Sequence, residues 1–109
     1  MPSTTLARGN AISTFYIGPS ITPAAVAANT TAIQTFNVPG LQTTDIIVSQ
    51  GYIANQVTGV FIVECDCLTA GVLTIQFGNL TAAPVTPAAG IYEFAIARPE
   101  NLPLPTTAV

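Results

Sequence analysis

No stretch of this chain repeats apolar residues at the three-to-four spacing of an amphipathic helix over a useful length. Two-residue alternation recurs instead, in short runs cut by nine prolines and eight glycines. The alanine-rich segment Pro23–Ala32 is bracketed by Pro23 and Asn29-Thr30-Thr31, which leaves room for one short turn at most. The strongest strand patterns lie in the second half. Val60–Cys67 sets Phe61, Val63, Cys65 and Cys67 on one face, and Val72–Gly78 alternates Leu73, Ile75 and Phe77 against Thr74 and Gln76. The link Leu68-Thr69-Ala70-Gly71 is short and ends in glycine, so these two runs form a β-hairpin. Ile91–Arg98 places Tyr92, Phe94 and Ile96 together, Ala32–Val38 runs into a type II turn at Pro39-Gly40, Asp45–Gln50 offers Ile46 and Val48, and Ile12–Ile17 ends at Gly18-Pro19.

These six strands and the lack of a helix predict an all-β fold, a small antiparallel β-sandwich or barrel of about six to eight strands. The expected core is Phe36, Val38, Ile46, Val48, Phe61, Val63, Leu73, Ile75, Phe77, Tyr92, Phe94 and Ile96. Residues 12–98 form the β domain, 1–11 an N-terminal arm and 99–109 a Pro-rich C-terminal arm. The prolines of Pro99–Pro105 favour an extended path that presents Leu102 and Leu104, and the other arm presents Leu6; these three leucines are the candidate arm contacts.

Charge poverty limits what such a domain can show to water. The chain has two basic and five acidic residues, with no lysine, histidine or tryptophan, where a soluble domain carries about 25% charged residues. On the strands, Val60, Ile62, Val72, Ile91 and Ala95 fall opposite the expected core, at positions where a monomeric sandwich shows polar groups. They are the candidate subunit interface, and a closed ring is the usual way to bury such a face. Glu64 and Asp66 share the outward side of their strand as solvated markers, and Glu93 is placed to pair with Arg8 or Arg98 in an ordinary surface contact.

Catalytic chemistry finds little support. Without histidine the commonest general base and metal ligand is missing, and no nucleophile elbow, phosphate-cradling loop or convincing carboxylate pair occurs. No catalytic residue, metal site or cofactor is therefore assigned, and the chain is not expected to be an enzyme. Cys65 and Cys67 stand roughly 6.5–7 Å apart along a strand, poor geometry for a mutual disulfide. They read as small buried thiols, with cross-subunit chemistry as the alternative. Two arginines in an acidic chain leave no footprint for nucleic acid. No run reaches the ~20 apolar residues of a spanning helix, and the first eleven residues lack the apolar centre of a signal peptide. The expectation is a protein made and used without export, with no membrane partner; in that setting the sequon Asn79-Leu80-Thr81 carries little weight.

One succession of motifs is more specific. Thr35-Phe36-Asn37-Val38-Pro39-Gly40-Leu41 leads to Asp45-Ile46-Ile47-Val48, then Leu73-Thr74-Ile75-Gln76-Phe77-Gly78-Asn79-Leu80-Thr81, Val85-Thr86-Pro87 and Tyr92-Glu93-Phe94-Ala95-Ile96. This order, spanning Thr30 to Ile96, resembles a group of small tailed-bacteriophage virion proteins, in particular head decoration (cement) proteins. Thr44 departs from that pattern, which has glycine before the aspartate, so a turn built on positive φ must differ here. The resemblance implies a β-rich, often trimeric protein made in the host cytoplasm. It would sit on the outer surface of the virion and clamp neighbouring major capsid proteins. Its partners would be the major capsid protein and copies of itself. The alternative is a receptor- or glycan-binding β-module of a head fibre or tail tip, for which Tyr16 and Tyr52 are the loop-adjacent aromatics.

Overall fold

The computed structural model describes residues 11–52 and 57–99, without the side chains of Ala11, Ile12 and Tyr52. Seven strands appear among them, and no helix: β1 (Ala11–Ile17), β2 (Ser20–Ile21), β3 (Thr30–Asn37), β4 (Ile46–Tyr52), β5 (Val60–Thr69), β6 (Val72–Asn79) and β7 (Gly90–Pro99). They form two antiparallel sheets, as a small sandwich requires. In the first, β7 is central, with β4 on one side and β1 and β2 on the other. β1 and β2 share one register along β7 and amount to a single edge interrupted at Gly18-Pro19, where the Pro19 carbonyl still accepts from Tyr92 N–H at 3.1 Å. In the second sheet β6 lies between β3 and β5. The arms 1–11 and 99–109 fall outside the described residues except at Ala11 and Pro99, which pair with each other at the ends of β1 and β7.

The two central strands supply the heart of the core. Leu73, Ile75 and Phe77 of β6 and Tyr92, Phe94 and Ile96 of β7 are fully buried, as their alternation predicts. Phe77 and Tyr92 meet edge to face, ring centres 6.5 Å apart and planes at 87°. Ile21, Val26, Leu41 and Cys67 complete the buried set, with Phe36 and Val38 half-buried against it. Each large side chain here contributes about 1.5–3 kcal/mol of burial.

Four of the expected core residues are instead exposed: Ile46, Val48, Phe61 and Val63. In β5 a bulge shifts the register between Ile62 and Glu64, so Val60 and Ile62 face the core above it and Cys65 and Cys67 below it. Unbroken alternation extended back from the cysteines chooses the wrong pair. In β4 the phase turns on a buried charge. A free aspartate at position 45 would put Ile46 and Val48 inside, but Asp45 is itself buried, so Ile47 packs against the core and its neighbours point out.

Turn chemistry agrees with the sequence. Leu41 N–H closes on Val38 C=O at 3.2 Å around Pro39-Gly40, with Gly40 at φ 95°. Gly71, at φ 78°, ends the expected β5–β6 hairpin. The hairpin tip docks on the first turn through Gly71 N–H to Leu41 C=O and Val38 N–H to Gly71 C=O, both 2.8 Å. Thr44 needs no positive φ: Asn29 is the one non-glycine with that conformation among the described residues. A turn from Gln42 to Asp45 closes the loop instead, with Asp45 N–H on Gln42 C=O at 3.0 Å.

Candidate functional site

The most heavily anchored side chain on the β3–β4 loop is Asp45. Its carboxylate is sealed from solvent and takes Arg98 in a two-pronged pair, Nε to Oδ1 and a terminal guanidinium nitrogen to Oδ2, both 2.7 Å. Gln42 N–H also donates to Oδ2 at 2.9 Å, and Arg98 reaches the Gly40 carbonyl at 3.1 Å. The guanidinium lies over the Phe15 ring at 4.9 Å. Arg98 therefore belongs to Asp45 and not to Glu93, and Arg8 lies outside the described residues. The guanidinium holds the Asp45 carboxyl below the usual carboxylate range, against the opposing pull of burial. This knot ties the end of β7 to the start of β4 and walls one end of an apolar groove of about 320 Å³, lined by Phe15, Ile17, Val38, Pro39, Gly40 and Leu41 besides Arg98.

A second knot replaces the sequon. Asn79 is buried, and its amide NH₂ group donates to the carbonyls of Val26, Ala27 and Ala83 at 3.0, 3.3 and 2.9 Å. Its Oδ1 accepts from Thr81 N–H at 2.8 Å. The Asn-x-Thr motif thus locks the loop 22–28 to the end of β6, and the side-chain nitrogen is inaccessible in the folded domain. Thr81 in turn explains Gly59: a Cβ there would come within 2.3 Å of Thr81 Cγ2.

The cysteines are both free, on the inward side of β5. Cys67 is buried, its Sγ 3.1 Å from the Thr69 carbonyl oxygen. Burial, with the charges of Asp66 and Glu64 adding to it, pushes the Cys65 thiol up to about 12. It stays protonated at neutral pH, which makes it a poor nucleophile for cross-subunit chemistry. Glu64 is exposed, as expected, but Asp66 is half-buried, and its Oδ1 is shielded from solvent without a hydrogen-bond partner. No group of three or more His, Cys, Asp or Glu suited to a metal ion occurs among the described residues.

What the strands assemble on the outside is apolar surface, on two separate faces. The first sheet presents Tyr16 (81% exposed), Ile46, Val48 (62%) and Ile91, with Ala95 between them. The second presents Ile33 (67%), Phe61, Val63 and Leu68 (72%). The tip of the Phe61 ring stands against Gly78, where a Cβ would come within 2.5 Å of Cζ. Of the five candidate interface residues, Val60 and Ile62 turn to the core, because the β5 bulge reverses the expected phase. Val72 faces outward on the second sheet, while Ile91 and Ala95 do so on the first, so the five do not form one patch. The side chain of Tyr52 and the arm leucines Leu6, Leu102 and Leu104 lie outside the described residues. Sequence alternation alone places Ile46, Val48, Phe61 and Val63 inside, and the structure puts all four on the outer faces.

No protein-family model matches this chain, nor does any curated protein or solved structure.

Proposed function

We propose that this chain is a structural virion protein, a capsid decoration (cement) protein that binds the outer capsid surface and stabilises contacts between major capsid proteins. The observation that carries the reading is the pair of apolar outer faces on a domain that already has a complete core of its own. Apolar surface spread over two sheets, with almost no charge to keep it solvated, suits a part held between other proteins. The motif order described above supports the same reading. Modest contacts of this kind become strong attachment when symmetry repeats them around a shell.

The test is to add the purified chain to expanded, DNA-free capsids of the encoding phage from which it has been stripped. Saturable co-sedimentation and a higher capsid disruption temperature are expected. Failure to bind, with no change in disruption temperature, contradicts the reading.

A second reading, a receptor- or glycan-binding module, draws on Tyr16, whose ring stands almost free on the first sheet. It requires that Tyr16→Ala abolish host or glycan binding while leaving capsid stability unchanged; the decoration reading requires that capsid binding continue to operate through the broader faces.

A further inference from the structure

The sheet edges are not equally protected. The β1–β2 edge is broken by Gly18-Pro19 and by a register shift near Ala11. β4 carries a bulge between Ile47 and Ser49. β5 carries two register shifts and the charges of Glu64 and Asp66. These are the usual devices that stop an edge from pairing with another chain. β3 has none: its eight residues, Thr30–Asn37, hold unbroken register against β6 and contain no charge and no proline.

The ladder shows which groups that edge offers. Val38 N–H bonds Gly71 C=O, whereas Leu80 N–H bonds Gly59 C=O, so odd-numbered residues of β6 serve β3 and even-numbered ones serve β5. Thr30, Ala32, Gln34 and Phe36 accordingly bond to β6, and Thr31, Ile33, Thr35 and Asn37 turn their N–H and C=O groups to the open side. None of those four joins a backbone hydrogen bond outside the ladder among the described residues. The nearby loop does not fill the gap. Ala24 satisfies its own N–H and C=O through the Gln34 side-chain amide, at 2.8 and 2.9 Å, and leaves the β3 backbone free.

We propose that β3 pairs antiparallel with β3 of a second copy about a two-fold axis at Ile33, joining two three-stranded sheets into one of six strands. The occupant follows from the sequence of the edge. Thr31-Ala32-Ile33-Gln34-Thr35 reads the same in both directions on its outward side, so the axis places Ile33 against Ile33 and each Thr31 against the other copy's Thr35. Thr–Thr and β-branched pairs are favourable cross-strand neighbours. An uncharged edge meets its own copy without repulsion, whereas the acidic β5 edge would not. Every other edge among the described residues being blunted, an edge-to-edge contact through β3 is isologous and two-fold. The pairing goes beyond the decoration reading and is two-fold, where the resemblance implies a trimer.

Sedimentation velocity across the micromolar range tests it. The wild-type chain is expected to be dimeric. Ile33→Lys and Ile33→Glu set like charges on the axis and should each weaken the dimer about tenfold or more, while an equimolar mixture of the two recovers a heterodimer. Ile33 is exposed, so both variants keep the fold, which circular dichroism checks. A wild-type chain that stays monomeric, an oligomer indifferent to both substitutions, or a mixture that fails to associate would overturn the pairing. A monomer that still saturates capsids overturns the pairing alone, and a β3-paired dimer that ignores capsids overturns the decoration reading alone.

Discussion

β3 and β5 flank the same central strand, yet they end the sheet in opposite ways. β5 is interrupted by two register shifts and carries Glu64 and Asp66; β3 is uncharged and in register along its whole length. Both present apolar side chains outward, Ile33 on one and Phe61, Val63 and Leu68 on the other. The difference lies in the backbone: β5 is shaped to be covered on its face, β3 to be extended at its edge. Breaks and bulges in the backbone, joined on β5 by two acids, therefore blunt the other borders, while β3 has neither.

The sharpest way to disturb that arrangement lies across the sandwich, where the Asp45–Arg98 pair fixes the phase of β4. Asp45→Ala removes an acceptor for both prongs of Arg98 and for Gln42 N–H, and should cost about 3 kcal/mol in denaturant unfolding. If β4 then slips so that Ile46 and Val48 face inward, amide exchange along β4 will report the change. The pair also sets an acid limit. Asp45 titrates lower in the folded chain than its ordinary 3.8, so its stabilisation is complete above that value and is lost as pH falls through the folded pKa. The acid loss that belongs to Asp45 should be missing from the alanine variant, whose stability curve flattens on the acid side.

On the β5 side, Gly78→Ala drives a Cβ into the Phe61 ring and should cost about 1–3 kcal/mol, with much of the loss restored when Phe61→Ala is added. The matching change on the β3 side, Ile33→Ala, touches no buried group and should stay within about 0.5 kcal/mol. Equal effects at the two positions would mean that the second sheet does not distinguish its edges.

The smallest expected effect concerns Cys65. Its thiol should react with a disulfide reagent far more slowly than a free cysteine until the chain unfolds. Because the folded pKa, about 12, lies above the ordinary 9.0, the unfolded chain gives up that proton first. Stability should therefore fall as pH rises above about 9, and Cys65→Ala should flatten the decline. Rapid labelling at neutral pH would show that β5 opens as readily as a free edge.

Much of this fold was legible in the sequence, and the failures share a cause. β6 and β7 alternate without interruption, so their phase is plain, as are the turns at Pro39-Gly40 and Gly71, where proline and glycine state their conformations outright. In β4 and β5 apolar residues occupy both phases of each strand, which leaves the choice to a bulge or to a distant partner. Nothing local announces that Asp45 is buried; its cause is Arg98, fifty-three positions away. The two-residue β2 is too short to carry a period. The Asn79 knot does have a local signal, since Asn followed by Thr two residues later suits a side-chain-closed turn. The outer faces follow from the same phase problem: the residues that mark them are plainly apolar, and only the folded register says which side they occupy.

Residue-resolved amide exchange, recorded at low and high protein concentration, bears most directly on the difference between the two edges. If β3 pairs with a second copy, the amides of Thr31, Ile33 and Thr35 gain protection as concentration rises, while those of Ile62 and Cys65 on the open side of β5 do not. Concentration-independent, rapid exchange at Thr31, Ile33 and Thr35 would contradict the account.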